Sequence, residues 1–128
     1  MSRAHWWAAT RRRNWWVPEM IRHTVLFKFK PDFPPADKQT WIAGLNRMRG
    51  NIPGMLNLTH GPDVLSTERS FDYAIVADFE TVEDIAVYNT HPLHEPLKAY
   101  SFPNSQHILS VDFHLEDPRP ASAKTPPS

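Results

Sequence analysis

The sequence predicts an α+β fold, one two-layer domain of order β-α-β-β-α-β, from three observations. Residues 21–30 and 71–80 each alternate side chains with the period of two that marks a half-buried strand. Trp41, Leu45, Met48 and Ile52, spaced four, three and four, form the stripe of one buried helical face. Thr81-Val-Glu-Asp84 has the outline of a capping box ahead of a second helix, with Asp where Glu is usual.

The first strand, 21–30, sets His23, Val25, Phe27 and Phe29 on one face and Arg22, Thr24, Leu26 and Lys28 on the other. Pro34-Pro35 and Asp37 open the first helix, because proline lacks only a donor that the first turn leaves unused. Gly50 and Pro53-Gly54 end it, and a short strand follows over 55–61. Residues 62–70 read as a polar connection. In the strand 71–80, Phe71, Tyr73, Ile75, Ala77 and Phe79 alternate with Asp72, Ala74, Val76 and Asp78. The second helix runs to about Tyr88 or Thr90, since Pro92 disfavours helix at His91. A further helical piece is expected over 93–100 despite Pro96. The last strand is expected over 106–114, with His107, Leu109, Val111 and Phe113 on one face.

These alternations predict two unlike sheet faces. Phe27, Phe29, Phe71, Phe79 and Phe113 are expected under the two helices. Thr24, Leu26, Ala74, Val76, Ile108 and Ser110 are expected on the other face, which is apolar yet has no helix left to cover it. The simplest cover is a second copy of the same sheet, giving a two-fold homodimer.

At 128 residues the chain suits a single core, and three zones are visible in it. Residues 1–19 hold four of the five tryptophans and carry Arg3, Arg11, Arg12 and Arg13 against Glu19 alone. This head has the composition of a segment that lies on an anionic membrane surface. The preferred reading is that Met20 starts the folded chain and the head is upstream sequence read in frame. Residues 20–115 form the folded body and carry eight Lys/Arg against eleven Asp/Glu, an acidic balance that argues against nucleic acid as a partner. Residues 116–128, rich in Pro, Ala, Ser and Thr, are expected to be disordered. With no cysteine there is neither a disulfide framework nor a thiolate metal site, which fits a cytoplasmic protein. No apolar run has the length that spans a bilayer, so no membrane is expected as a partner of the body.

The chemistry concentrates in Tyr88-Asn-Thr-His91-Pro-Leu-His94, which brings a phenol and two imidazoles within seven residues. These groups move protons near neutral pH. His91 and His94, three apart, also fit half of a metal site, but Pro92 breaks the helical geometry that would aim them together, so no metal is expected. His91, before a proline, suits a turn-orienting bond to backbone. His60, His107 and His114 show no pattern.

Ile21-Arg-His-Thr-Val-Leu-Phe-Lys-Phe-Lys30, Ile52-Pro-Gly54, Asp72-Tyr-Ala-Ile-Val76, the Tyr88–His94 segment and Val111-Asp-Phe113 occur in the order found in a known family. In these residues the chain resembles the stress-responsive A/B barrel (Dabb) domain. The resemblance covers about residues 20–114 and implies a ferredoxin-like protomer with an antiparallel sheet, assembled as a dimeric α+β barrel. One plant branch of that family closes rings of poly-β-keto thioesters by an aldol-type step without cofactor or metal. Matching the motifs makes His94 the base, Tyr88 its partner and His23 the first-strand histidine of the pocket. The tyrosine that branch carries on its first helix falls on Leu45, a departure that puts the same substrate in doubt. Phe27, Trp41, Leu45, Tyr73 and His91 are expected to line the ligand cavity. The expected activity is a cofactor-free lyase or cyclase acting on a carbonyl compound. Its alternatives are a non-catalytic ligand-binding or stress-associated dimer and a cofactor-free monooxygenase-like barrel.

Overall fold

The computed structural model describes residues 20–115; the expectations for the head and the tail lie outside the described residues. Strand β1 (Ile21–Phe29) leads into helix α1 (Pro35–Met48), then β2 (Met55–Pro62) and β3 (Tyr73–Phe79). Helix α2 (Val82–Thr90), a 3-10 turn (Glu95–Leu97), the short helix α3 (Lys98–Ser101) and β4 (Ser105–His114) complete the order. The four strands form one antiparallel sheet in the order β2-β3-β1-β4. Each βαβ unit therefore straddles a strand from the other, the split arrangement of a ferredoxin-like protomer. Among the described residues no helix is long and apolar enough to cross a membrane.

The core lies between one sheet face and the helices. Trp41, Leu45 and Met48 of α1 are buried there against Phe27, Phe29, Tyr73 and Ile75. Gly44 also faces inward, and a Cβ on it would meet Leu97 at 2.3 Å, so the missing side chain lets the Leu97 turn close on α1. Both halves of the capping box at the start of α2 are present, Thr81 accepting from the Asp84 amide and Asp84 from the Thr81 amide. Gly54, at φ +78°, stands so close to Asp84 that a Cβ would sit 2.1 Å from its carboxyl carbon. The Pro-Gly turn after α1 thus packs onto the cap of α2.

Three expectations change. Phe71 precedes β3 and is half-buried, its ring 6.3 Å from that of His107 rather than under the helices. The helical piece predicted over 93–100 begins later, as the Glu95–Leu97 turn, where Pro96 sits among first-turn positions that need no donor. The largest correction concerns β4. Its register sets Phe27 beside Ile108, Leu26 beside Leu109, Val25 beside Ser110 and Thr24 beside Val111. Ile108 and Ser110 therefore belong to the helix side, and Leu109, Val111 and Phe113 to the open side. A period of two defines the alternation but not which set faces inward. Here neither set is buried, because β4 is an edge strand with no helix over it.

The open face is consequently more apolar than the sequence suggests. Leu109, Val111 and Phe113 are 53%, 64% and 45% exposed there, beside Leu26. At its other side, across the β1–β3–β2 strands, Asp78 is buried as an ion pair. Arg22 donates to it from Nε at 2.8 Å and Nη2 at 3.0 Å, and Asn57 from Nδ2 at 2.9 Å. The Arg22 hydrogen bond holds the Asp78 carboxyl below its usual range, against the opposing effect of burial.

Candidate functional site

A cavity of about 430 Å³ opens between the sheet and the segment that follows α2, a volume within the range of small-ligand sites. β1 contributes His23, Val25 and Phe27, α1 contributes Trp41 and Leu45, and α2 contributes Tyr88 and Asn89. His94, Leu97, Lys98, Ser101 and Phe102 close one side, and Ile108 and Ser110 of β4 the other.

Tyr88 is 2% exposed, and the His94 ring lies 4.1 Å from it between centroids. Helix α2 ends at Thr90, His91 turns to an extended conformation, and the chain doubles back so that the His94 amide donates to the His91 carbonyl at 2.8 Å. His91 holds this turn from inside, its Nδ1 accepting from the Leu93 amide at 3.0 Å. That bend is what brings two side chains six residues apart into ring contact.

The hydrogen bonds of His94 define its tautomer. Its Nδ1 lies 3.1 Å from the Asn89 carbonyl oxygen. A carbonyl only accepts, so Nδ1 carries the proton and Nε2 keeps a free lone pair. Burial lowers the His94 pKa from 6.5, with Lys98 and His23 adding to the effect and the Asn89 bond and Glu95 opposing it. The neutral, basic imidazole therefore dominates at pH 7. Tyr88 moves the other way: burial pushes its hydroxyl up to about 12. One member of the pair is a base and the other an acid that keeps its proton.

His23 is 8% exposed and meets the Tyr88 ring edge-on at 5.5 Å. Its Nδ1 is bonded to the carboxylate of Asp112, the residue beside it on β4. An acceptor there keeps the proton on Nδ1 and holds the ring in place. Sequence reasoning missed Asp112 because it put the alternate residues of β4, Val111 and Phe113, on the His23 face.

Of the residues expected around a ligand, His23, Phe27, Trp41, Leu45, Tyr88 and His94 line the cavity, and His91 and Tyr73 do not. His91 is spent on its turn. Tyr73 stands behind the wall, 5.0 Å from the Trp41 ring, its hydroxyl bonded to His60 Nδ1 at 2.7 Å. His60 in turn reaches Asn46 Oδ1 from Nε2 at 2.6 Å, so this histidine joins β2 to α1. Lys98, Ser101 and Ser110 line the cavity without any sequence pattern that marks them. Among the described residues no three His, Cys, Asp or Glu side chains converge as a metal site.

Fold and cavity together define a ferredoxin-like α+β protein in which a half-buried imidazole, His94, meets a buried phenol, Tyr88, between sheet and helices. The model of the stress responsive A/B barrel domain matches residues 21–115, and the chain belongs to that family. It is similar to olivetolic acid cyclase of Cannabis sativa, 29% identical over 76 residues, which cover 58% of this chain and 75% of the cyclase. It is also similar to a stress-response A/B barrel domain-containing protein of Arabidopsis thaliana, 29% identical over 97 residues. That match covers 74% of this chain but only 36% of the Arabidopsis protein. Among solved structures, a dimeric ferredoxin-like protein of unknown function from Thermobifida fusca superposes with a TM-score of 0.69 at 27% identity. The match covers 77% of this chain and 93% of that one.

Proposed function

We propose that the protein is a cofactor-independent lyase or cyclase that moves a proton to or from the carbon next to a carbonyl group of a compound whose apolar chain is held in this cavity. The observation that carries this reading is the His94–Tyr88 contact, in which Nδ1 of His94 is anchored to a backbone carbonyl and Nε2 is left basic. Nε2 takes the proton from the α-carbon, and the electron pair of the C–H bond moves to the carbonyl oxygen. The Tyr88 hydroxyl, protonated at neutral pH, donates to that developing enolate. In a cyclase the enolate carbon then attacks a second carbonyl, and the imidazolium returns its proton to the new alkoxide. In a lyase the steps run in reverse: Nε2 takes the proton of a β-hydroxyl, and the oxygen lone pair forms a new carbonyl as the Cα–Cβ bond breaks. The electrons of that bond form the enolate that Tyr88 holds, and the imidazolium returns the proton to the α-carbon. His23, oriented by Asp112, supplies a second polar point on the wall.

The similarity to olivetolic acid cyclase supports carbonyl chemistry of this kind. Leu45, buried and apolar, supports a substrate with fewer polar groups than a poly-β-keto chain. The working unit is a homodimer joined through the open sheet face, for which Leu26, Leu109, Val111 and Phe113 provide the apolar contact. The dimeric state of the Thermobifida fusca protein supports this assembly.

The test is the imidazole spectrum of His94 by NMR during titration with 3-oxooctanoyl N-acetylcysteamine thioester. A saturable shift of the His94 resonances, absent in Leu45→Trp, is expected. A spectrum that the probe leaves unchanged would remove the cavity from consideration as the substrate site.

A further inference from the structure

The cavity lining is chemically uneven. Phe27, Trp41 and Leu45 line it with apolar side chains. Among the described residues Lys98 is the only lining residue with a permanent charge, and no carboxylate lines the cavity. The Lys98 ammonium is held rather than free to sweep through solvent. Its Nζ donates to the Asn89 carbonyl oxygen at 3.0 Å and to Glu95 Oε2 at 3.1 Å. The Asn89 oxygen is the same atom that receives the Nδ1 proton of His94. Two of the three ammonium donors are thus committed, the charge is fixed beside the base, and one donor remains.

We propose that the cavity selects carbonyl compounds that carry a carboxylate on an apolar chain, with Lys98 as the residue that seats the anionic end next to His94. The inference rests on the cavity being the substrate site and adds the charge of what it takes. Glu95 is no rival for this role. Its carboxylate is 56% exposed and pairs with Lys98 at i,i+3, an arrangement worth little in water. A ligand carboxylate held inside the cavity meets the ammonium where water is displaced and a charge-assisted hydrogen bond is stronger. The same ammonium contributes to keeping His94 neutral, so the seat and the base are compatible. Phe102, 59% exposed at the rim, offers apolar surface to the chain of such a ligand.

The experiment compares octanoate with octanamide, near-isosteres that differ in charge, by calorimetric titration of the full chain at pH 7. Wild type and Lys98→Arg are expected to bind octanoate about tenfold more tightly than octanamide, the scale of one hydrogen bond to a charged group. In Lys98→Met the two probes are expected to bind alike, at the octanamide affinity of wild type. Equal binding of the two probes to wild type overturns the proposal alone. So does an octanoate preference that survives in Lys98→Met. Failure of both probes to bind wild type overturns the cavity reading together with it.

Discussion

Gly54→Ala is the substitution with the most closely defined cost. Gly54 sits at φ +78°, where a residue with a side chain loses roughly 1–2 kcal/mol. Its new Cβ would also lie 2.1 Å from the Asp84 carboxyl carbon and 2.4 Å from each carboxylate oxygen. Either Asp84 moves and the capping box of α2 opens, costing about 1 kcal/mol more, or the turn itself shifts. The sum is roughly 2–3 kcal/mol, equivalent to a fall in Tm on the order of 10–20 °C for a domain of this size. Gly50→Ala is the internal control. Gly50 has the same φ of +78° but nothing within 4 Å of its would-be Cβ, so it loses only the conformational part, about 1–2 kcal/mol. The assay is urea unfolding of both variants, and of Gly54→Ala in an Asp84→Ala background. There the clash is gone, and the Gly54→Ala penalty should fall to that of Gly50→Ala, leaving a coupling of about 1 kcal/mol. Equal costs for the two glycines in the wild-type background would refute the packing of the Pro-Gly turn on the α2 cap.

Turnover should rise as pH passes the lowered pKa of His94, which lies below 6.5, and then stay level well past pH 9, because Tyr88 holds its proton to about 12. A bell with a descending limb near pH 8 would remove Tyr88 as the donor. The same His94 shift has a stability consequence: the unfolded chain takes up the proton near 6.5 and the folded chain only at lower pH, so thermal stability should decline as pH falls below 6.5. Arg22→Ala should destabilise the fold at pH 7, with the difference from wild type shrinking as pH drops below 3.8 and Asp78 is protonated in both states. Asp112→Ala, which frees the His23 ring, should lower kcat more than it raises KM, and equal changes in both would reduce Asp112 to a packing role. Val111→Glu should convert a sedimenting dimer of the full chain into a monomer, while an unchanged dimer would move the interface off the open sheet face.

Much of this fold is legible in the chain because its central elements obey strict periods. β1 and β3 are inner strands with one face against helices, so alternation and burial coincide at Ile21, Val25 and Phe27 and at Tyr73, Ile75 and Phe79. The Trp41–Leu45–Met48 stripe is legible for the same reason. β4 is not, since an edge strand exposed on both sides carries no burial signal to say which alternate set faces the helices. That one ambiguity hid Asp112, whose role exists only through its register with His23. Lys98 stayed hidden because Pro92 and Pro96 interrupt any helical phase before it. Asp78 reads as a surface residue until Arg22 and Asn57, from two other strands, are seen to meet it. Tyr88 and His94 were visible as chemistry, but their 4.1 Å ring contact depends on the bend that His91 closes.

The most direct measurement is hydrogen–deuterium exchange at the α-carbon of an eight-carbon 3-oxo thioester in deuterated buffer at pH 7, followed by NMR with wild type and with His94→Gln. Proton abstraction by Nε2 of His94 predicts exchange well above the buffer rate with wild type. It predicts a loss of at least about a hundredfold in His94→Gln, the scale of a general base, with the secondary structure of the variant intact. Exchange at the same rate in both proteins, or no acceleration by wild type, would contradict the assignment of His94 as the base.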